Sequence, residues 1–333
     1  MTINIAIVMG STNTSLFLAG CGVVLREPTL VAMTEDKKDR AVGTMALAMT
    51  GRTPGKTVLV APVQNGIIIE PKVAAILLKE FILRLYPRSY IIKPKIKAVM
   101  AVPTGIKKVD LETYYNVAYA AGINQVRMVP KVMMAAVGLD LPVAAPVSSM
   151  VVQLGGGTTE IAVTALSGIL QSGAWGVTIG GDMMDRAVCD YVAGKFDVKI
   201  GLVTAARLKE DIASLHKSEA SEKTVSGVDL NTKKPAQVKV SAADLREVLT
   251  PYYLRVADVV ETAINGCNPE VSSDILQNGI YLSGGASKIP NLAQFLSQRL
   301  GLRVNSFLEP EFASIIGGGK LLKDANLLES IIG

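Results

Sequence analysis

A single histidine, three widely separated cysteines and one tryptophan leave this chain of 333 residues with little of what metal centres, thiol chemistry and base stacking require. Cys21, Cys189 and Cys267 have no metal or redox spacing, which excludes a zinc ribbon or a CxxC pair and reads as incidental thiols in a reducing compartment. His216 follows an amphipathic stretch in ASLHKSE without cysteines or carboxylates arranged as metal ligands. A surface histidine is expected there, and a Ser-His-Asp set cannot be built around it. Aromatic residues make up 5% of the chain with no basic stripe among them, so nucleic-acid binding is unsupported. Trp175 and the twelve methionines read as packing residues. No apolar run reaches the ~18 residues of a membrane span. The opening MTINIAIVMG has neither the basic flank nor the small-residue cleavage site of a signal peptide, so a cytoplasmic location is expected.

What is present is a well-packed composition, 49% hydrophobic and 19% charged, in a chain long enough for two sizeable cores. The net charge of +5 favours acidic surfaces without choosing between nucleic acid and anionic lipid. An internal repeat says more. The stretch from Val8 to Leu18, VMGSTNTSLFL, and that from Gln153 to Val163, QLGGGTTEIAV, share one plan: a strand, a turn at Gly10 or Gly155, a small polar tip and a second apolar strand. Each reads as a β-hairpin whose glycines and hydroxyls allow the backbone to close on an anion. Two such hairpins from two similar domains would grip one polyphosphate from opposite sides.

The remainder alternates strands and helices. KVAAILLKEFILRLY (72–86) has helical apolar spacing, IKAVMAVP (96–103) reads as a buried strand, and DLETYYNVAYAAG (110–122) as a helix closed by glycine. After the second hairpin, a Gly-Gly turn opens a helix near Asp182, and LVTAARLKEDIASL (202–215) forms another. The polar stretch 217–240 reads as loops with short strands in a small subdomain. A strand, Gly284-Gly285 and a helix follow, placing a backbone nest at 283–286. FASIIGGGKLLKD reads as a last glycine turn and a helix returning to the first domain.

This pattern resembles the actin-like ATPases, the group of actin, the sugar kinases and the seventy-kilodalton heat-shock chaperones, and within it the MreB family of filament proteins. The segments that carry the resemblance are GCGVVLREPTLVAM (20–33), GRTPGK (51–56), SMVVQLGGGTTEIAV (149–163), IGGDMMDRAV (179–188) and GGGKLL (317–322). The resemblance implies an α/β fold of duplicated, ribonuclease H-like domains, with four subdomains around a nucleotide cleft, that polymerises into filaments. The domains would be 1–145, with a small insertion at about 30–66, and 146–333, with one at about 186–245. Gly10, Ser11, Thr12 and Asn13 match the family's first phosphate loop; Gly155, Gly156, Gly157 and Thr158 match the second. Gly180, Gly181 and Asp182 match a connecting motif, Arg207 and Lys209 fall in the helix flanking the adenosine, and Gly284 and Gly285 in the adenosine loop.

Three departures bear on catalysis. Where the family opens each phosphate hairpin with an aspartate that holds magnesium, this chain has Val8 and Gln153. Where it carries a glutamate that positions the attacking water, the chain reads Pro130-Lys131-Val132. Phosphoryl transfer relies on metal charge and a placed nucleophile, so hydrolysis is expected to be lost or very slow. ATP or ADP is the implied ligand, without the usual acids for magnesium. Lys131 either offers its charge to a phosphate or is a solvated or salt-bridged lysine.

Self-association is the implied partnership, with envelope or cytoskeletal partner proteins. LYPRSYIIKPKIK adds a candidate contact with anionic membrane: Tyr90, Ile91 and Ile92 form an apolar tip with basic flanks, or else Ile91 and Ile92 begin the buried strand. Two rivals on the same fold are a chaperone-like or reactivating ATPase or pseudo-ATPase that forms no filaments, to which SGGASKIPN points, and a small-molecule kinase. The chaperone reading needs a substrate-binding domain or an intact ATPase, and the kinase reading a catalytic aspartate with a sugar pocket.

Overall fold

The computed structural model describes residues 2–34, 40–52, 57–86 and 94–332. Its frame is a pair of five-stranded sheets built on one plan. In the first, Gly22–Pro28, Asn13–Leu18 and Thr2–Met9 run antiparallel to their neighbours, and Lys95–Val102 and Gln125–Pro130 then add in parallel. In the second, Gly168–Val177, Thr159–Ala165 and Ser149–Leu154 form the same antiparallel set, extended in parallel by Ile280–Ser283 and Val304–Asn305. The repeat seen in the hairpins thus extends through both sheets.

Local sequence accounts for these elements. Ser149–Leu154 and Thr159–Ala165 are buried along their whole length, as expected of near-continuous apolar strands covered on both faces. Pro71 sits at the first turn of the helix Pro71–Leu83, where its missing N–H is harmless, and Val73, Ala74, Leu77, Leu78, Phe81 and Ile82 form its buried stripe. With Lys108–Ala120 it covers the first sheet. Gly181–Phe196 and Ala242–Asn265 pack on the second, with Val188, Val192, Leu245, Tyr253 and Val256 against Val152 and Ile161. The 24-residue helix Ala242–Asn265 starts in a capping box, in which Ser241 and Asp244 satisfy each other's backbone N–H groups.

The two sheets are joined through a core that draws on both, including Val99, Ala101, Met134, Val151 and Ala162. At its centre the helices Lys131–Gly138 and Ala313–Leu321 meet at backbone distance. The space a side chain at Gly138 would need is occupied by the Ala313 carbonyl, and at Gly317 by the Met134 carbonyl. Gly318 abuts Ala6 and Met134, and Gly319 the ring of Phe17.

Three readings are corrected. Gly317, Gly318 and Gly319 form no turn; they lie inside Ala313–Leu321, where missing side chains permit close packing that outweighs poor helix propensity. The polar stretch 217–240 is dominated by a long hairpin, Glu222–Asp229 with Pro235–Ser241, joined by Val198–Lys199 in a three-stranded sheet. Its strands are largely exposed, so the sequence shows little hydrophobic alternation there. Trp175 is 42% exposed and Met45 68% exposed, so neither is a packing residue. A second small sheet joins Arg40–Val42, Val31–Thr34 and Thr57–Val60. Tyr90, Ile91 and Ile92 lie outside the described residues. Among those described, no helix is long and apolar enough to cross a membrane.

The helix contact yields a stability prediction. Gly317→Ala drives a methyl group into the Met134 carbonyl and should lower unfolding free energy by about 2 kcal/mol or more, measured by chemical denaturation. An unchanged midpoint would show that the helices separate without penalty.

Candidate nucleotide cleft

The two glycine hairpins meet tip to tip between the sheets. Each closes through the same bond: Gly10 N–H donates to the Asn13 carbonyl at 2.9 Å, and Gly155 N–H to that of Thr158 at 2.8 Å. The Thr12 hydroxyl donates to the Asp182 carboxylate at 2.8 Å. Ser11 Oγ accepts from Gly66 N–H at 3.1 Å. Glycine is required opposite them, because Thr12 fills the side-chain space of Gly156 and Ser11 that of Gly157. Behind the second tip, Gly181 and Asp182 N–H groups donate to the carbonyls of Gly155 and Gly156 at 3.0 and 2.8 Å. This aims the positive end of the helix Gly181–Phe196 at the hairpins.

A cavity of about 570 Å³ opens beside the tips, within the range of small-ligand pockets. Both hairpin tips, Gly181, Asp182, Lys209, Gly284 and Gly285 line it, together with Val8, Gln153 and Lys131. Gly284 has φ +88°, and the Leu154 backbone occupies the place of a side chain, which brings this loop onto the second sheet. The Tyr253 hydroxyl donates to the Ala286 carbonyl at 3.0 Å and steadies the same loop. Gly180 does not reach the cavity; it packs behind the second hairpin on Gly156. Arg207 also stays out, on the exposed side of the helix Leu202–Ile212, whose residues 206, 209 and 210 face inward. A residue one position from a helical stripe points about 100° away from it.

Ion pairs dominate the charge pattern. Lys209 Nζ lies 2.6 Å from the Asp185 carboxylate and donates to the Gly181 carbonyl at 3.1 Å. Burial pushes the Asp185 carboxyl above its usual range, against the opposing pull of Lys209. Lys288 pairs with Glu311 at 2.6 Å. Lys131 pairs with Glu160, the cross-strand neighbour of Gln153, and the second oxygen of Glu160 accepts from Thr104 N–H at 2.9 Å. Within the protein, then, Lys131 is salt-bridged. Gln153 Nε2 donates to Ser314 Oγ at 2.8 Å, and that hydroxyl donates to the Lys131 carbonyl at 3.2 Å. Gln153 Oε1 is buried without a partner.

Sequence reasoning missed Glu160, Asp185, Arg26, Lys288 and Glu311. For Glu160 a signal existed: it is the one charged residue in the fully buried strand Thr159–Ala165. The others are ordinary helix and strand charges until the chain folds.

The residues fit a nucleoside phosphate in shape. Glycines and small hydroxyl residues at the hairpin tips bring backbone close to the cavity, and Ala206, Tyr253, Gly285 and Ile289 line its other part. The hairpin roots offer a magnesium ion no carboxylate. At the hairpin roots stand an apolar side chain, Val8, and one neutral amide, Gln153, whereas a hard cation takes carboxylate oxygens. Asp182, Asp185 and Glu311 each give one oxygen to Thr12, Lys209 and Lys288, and Glu311 Oε2 is buried without a partner. Among the described residues, no group of three or more His, Cys, Asp or Glu side chains is placed to hold a metal.

Comparison with known proteins agrees with this geometry. The family model described as MreB/Mbl protein matches residues 2–330. The chain belongs to the MreB/Mbl family. It is 34% identical to the cell shape-determining protein MreB of Escherichia coli K12, over 96% of this chain and 93% of that one. It is 29% identical to the cell shape-determining protein Mbl of Bacillus subtilis, over 98% and 97%. The crystal structure of MreB5 of Spiroplasma citri bound to ADP superposes with a TM-score of 0.91 at 26% identity, covering 99% of this chain and 98% of that one. The MamK double helical filament superposes at 0.83 and 19% identity, over 97% and 99%, which speaks to the fold alone. The fold of this MreB/Mbl family member is actin-like.

The Lys131–Glu160 pair generates a prediction. Glu160→Ala leaves a buried ammonium without a counter-ion and should cost about 3 kcal/mol of stability, while Lys131→Gln/Glu160→Gln should recover most of that loss. Chemical denaturation of both variants decides; equal losses would mean that the pair's charge is irrelevant to stability.

Proposed function

We propose that this chain is a cytoskeletal filament protein that organises cell shape or the envelope, holds ATP or ADP in the cleft and hydrolyses it very slowly or not at all. The observation that carries the reading is the meeting of two matched glycine hairpins at one cavity in a member of the MreB/Mbl family. Relatives named as cell shape-determining, and MreB5 of Spiroplasma citri bound to ADP and to AMPPNP, support the filament role and the ligand. Slow hydrolysis follows from Lys131, Val8 and Gln153, which supply neither a base for water nor carboxylates for a metal. Gly10 to Asn13 and Gly155 to Thr158 hold the phosphates in this reading, with Asp182 and Lys209 beside them and Gly284-Gly285 under the nucleoside. The domains divide near residue 145. The protein acts in the cytoplasm at the inner face of the membrane, which it touches through the segment of Tyr90, Ile91 and Ile92.

Filament formation separates this reading from a chaperone-like or kinase role on the same fold. Purified protein should pellet above a critical concentration and show filaments by negative-stain microscopy. Discrete particles at every concentration, with ATP and Mg²⁺, with ATP and EDTA, and without nucleotide, would refute it.

A further inference from the structure

Lys131 opens the helix Lys131–Gly138, and Glu160 lies on the strand Thr159–Ala165 of the other sheet. The lysine side chain keeps 14% exposure and lines the cavity; the glutamate keeps 4% and does not. The ammonium therefore stands between a buried carboxylate and the open space beside both hairpin tips. An ammonium has three N–H donors, and the carboxylate leaves donors for an anion arriving from the cavity side. A lysine acts on phosphate as a point charge and needs no fixed fork geometry.

A nucleoside polyphosphate entering this cavity brings several negative charges that must be compensated. The usual compensation is a divalent cation on one or two carboxylates and the phosphate oxygens. Here the hairpin roots are Val8 and Gln153, whose orphaned Oε1 is neutral, and the orphaned carboxylate oxygen beside the cavity, Glu311 Oε2, belongs to the ion pair with Lys288. Of the other cations that line the cavity, Lys209 is held by Asp185 and the Gly181 carbonyl, Lys288 is held by Glu311, and the Arg26 guanidinium lies over the Phe312 ring, 5.5 Å from its centroid. Glu160, in contrast, does not line the cavity and shares its charge with Thr104 N–H and the Thr158 hydroxyl.

We propose that the cleft binds a nucleoside polyphosphate free of divalent metal, with the Lys131 ammonium as the fixed cation against its phosphates. This rests on the nucleotide-cleft reading above and goes beyond it by naming the charge form of the ligand. Glu160 holds the lysine in place and neutralises it when no anion is present. Binding transfers part of the ammonium's hydrogen bonding from carboxylate to phosphate, so no buried charge is left alone in either state.

The test is a titration of the full chain with a fluorescent ribose-labelled ATP analogue and with unlabelled ATP and adenosine as competitors, in Mg²⁺ and in EDTA. The parent protein should bind ATP with affinities that agree within about threefold in the two conditions. Lys131→Gln, and Lys131→Gln/Glu160→Gln as the variant that leaves no buried unpaired charge, should each weaken ATP binding in EDTA by about tenfold or more while adenosine affinity changes less than about threefold. Retained adenosine binding shows that the variants are folded around an intact cavity. The inference is overturned if the parent loses ATP affinity tenfold or more in EDTA, or if the double variant holds ATP in EDTA as tightly as the parent. Absence of both ATP and adenosine binding by the parent in either condition overturns the nucleotide reading itself, and this inference with it.

Discussion

Backbone-to-backbone contact between the helices Lys131–Gly138 and Ala313–Leu321 sets the spacing of the whole molecule. Gly138 faces the Ala313 carbonyl and Gly317 the Met134 carbonyl, with no side chain between. Because Gly318 and Gly319 also lie against Ala6 and Phe17 of the first sheet, the helix Ala313–Leu321 is pressed onto both its partner helix and the strands. The two hairpin tips can then meet, Thr12 against Gly156 and Ser11 against Gly157. A wider helix contact would open that gap and separate Thr12 from Asp182.

The same spacing places Lys131 beside Glu160. Lys131 begins one helix of the tight pair, and its backbone carbonyl accepts from Ser314, near the start of the other. Glu160 reaches it from the second sheet and takes Thr104 N–H from the first. An ion pair between a helix and a strand of the second sheet therefore stands beside the cavity. Opposite charges draw the halves together; two carboxylates at the same place would repel unless a cation lay between them. The cleft of this MreB/Mbl member is thus held by its own side chains.

Much of this was legible in the sequence. The matching VMGSTNT and QLGGGTTE stretches carried the duplication, because a hairpin that must approach another backbone needs glycine and small hydroxyls at fixed positions. The helix spanning Pro71–Leu83 and the strand Lys95–Val102 followed from apolar spacing. Arg207 shares its helix with Ala206 and Lys209, which line the cavity, but points about 100° away from their stripe. The run Gly317 to Gly319 reads locally as a turn, since the helix contact that makes glycine favourable there involves Met134 and Gly138, far away in sequence. Charge pairs such as Lys209–Asp185 and Lys288–Glu311 join different elements, so only the folded chain reveals them.

On the proposed reading, Lys131, Val8 and Gln153 stand where acids would place water and hold a metal, so hydrolysis is lost or very slow. Phosphate release from ATP at saturating protein, with Mg²⁺ present and filaments monitored in the same sample, tests it most directly. The account predicts release indistinguishable from the protein-free control over many hours while filaments form. Steady Mg²⁺-dependent release that scales with protein concentration, and survives in the Lys131→Gln variant, would contradict it.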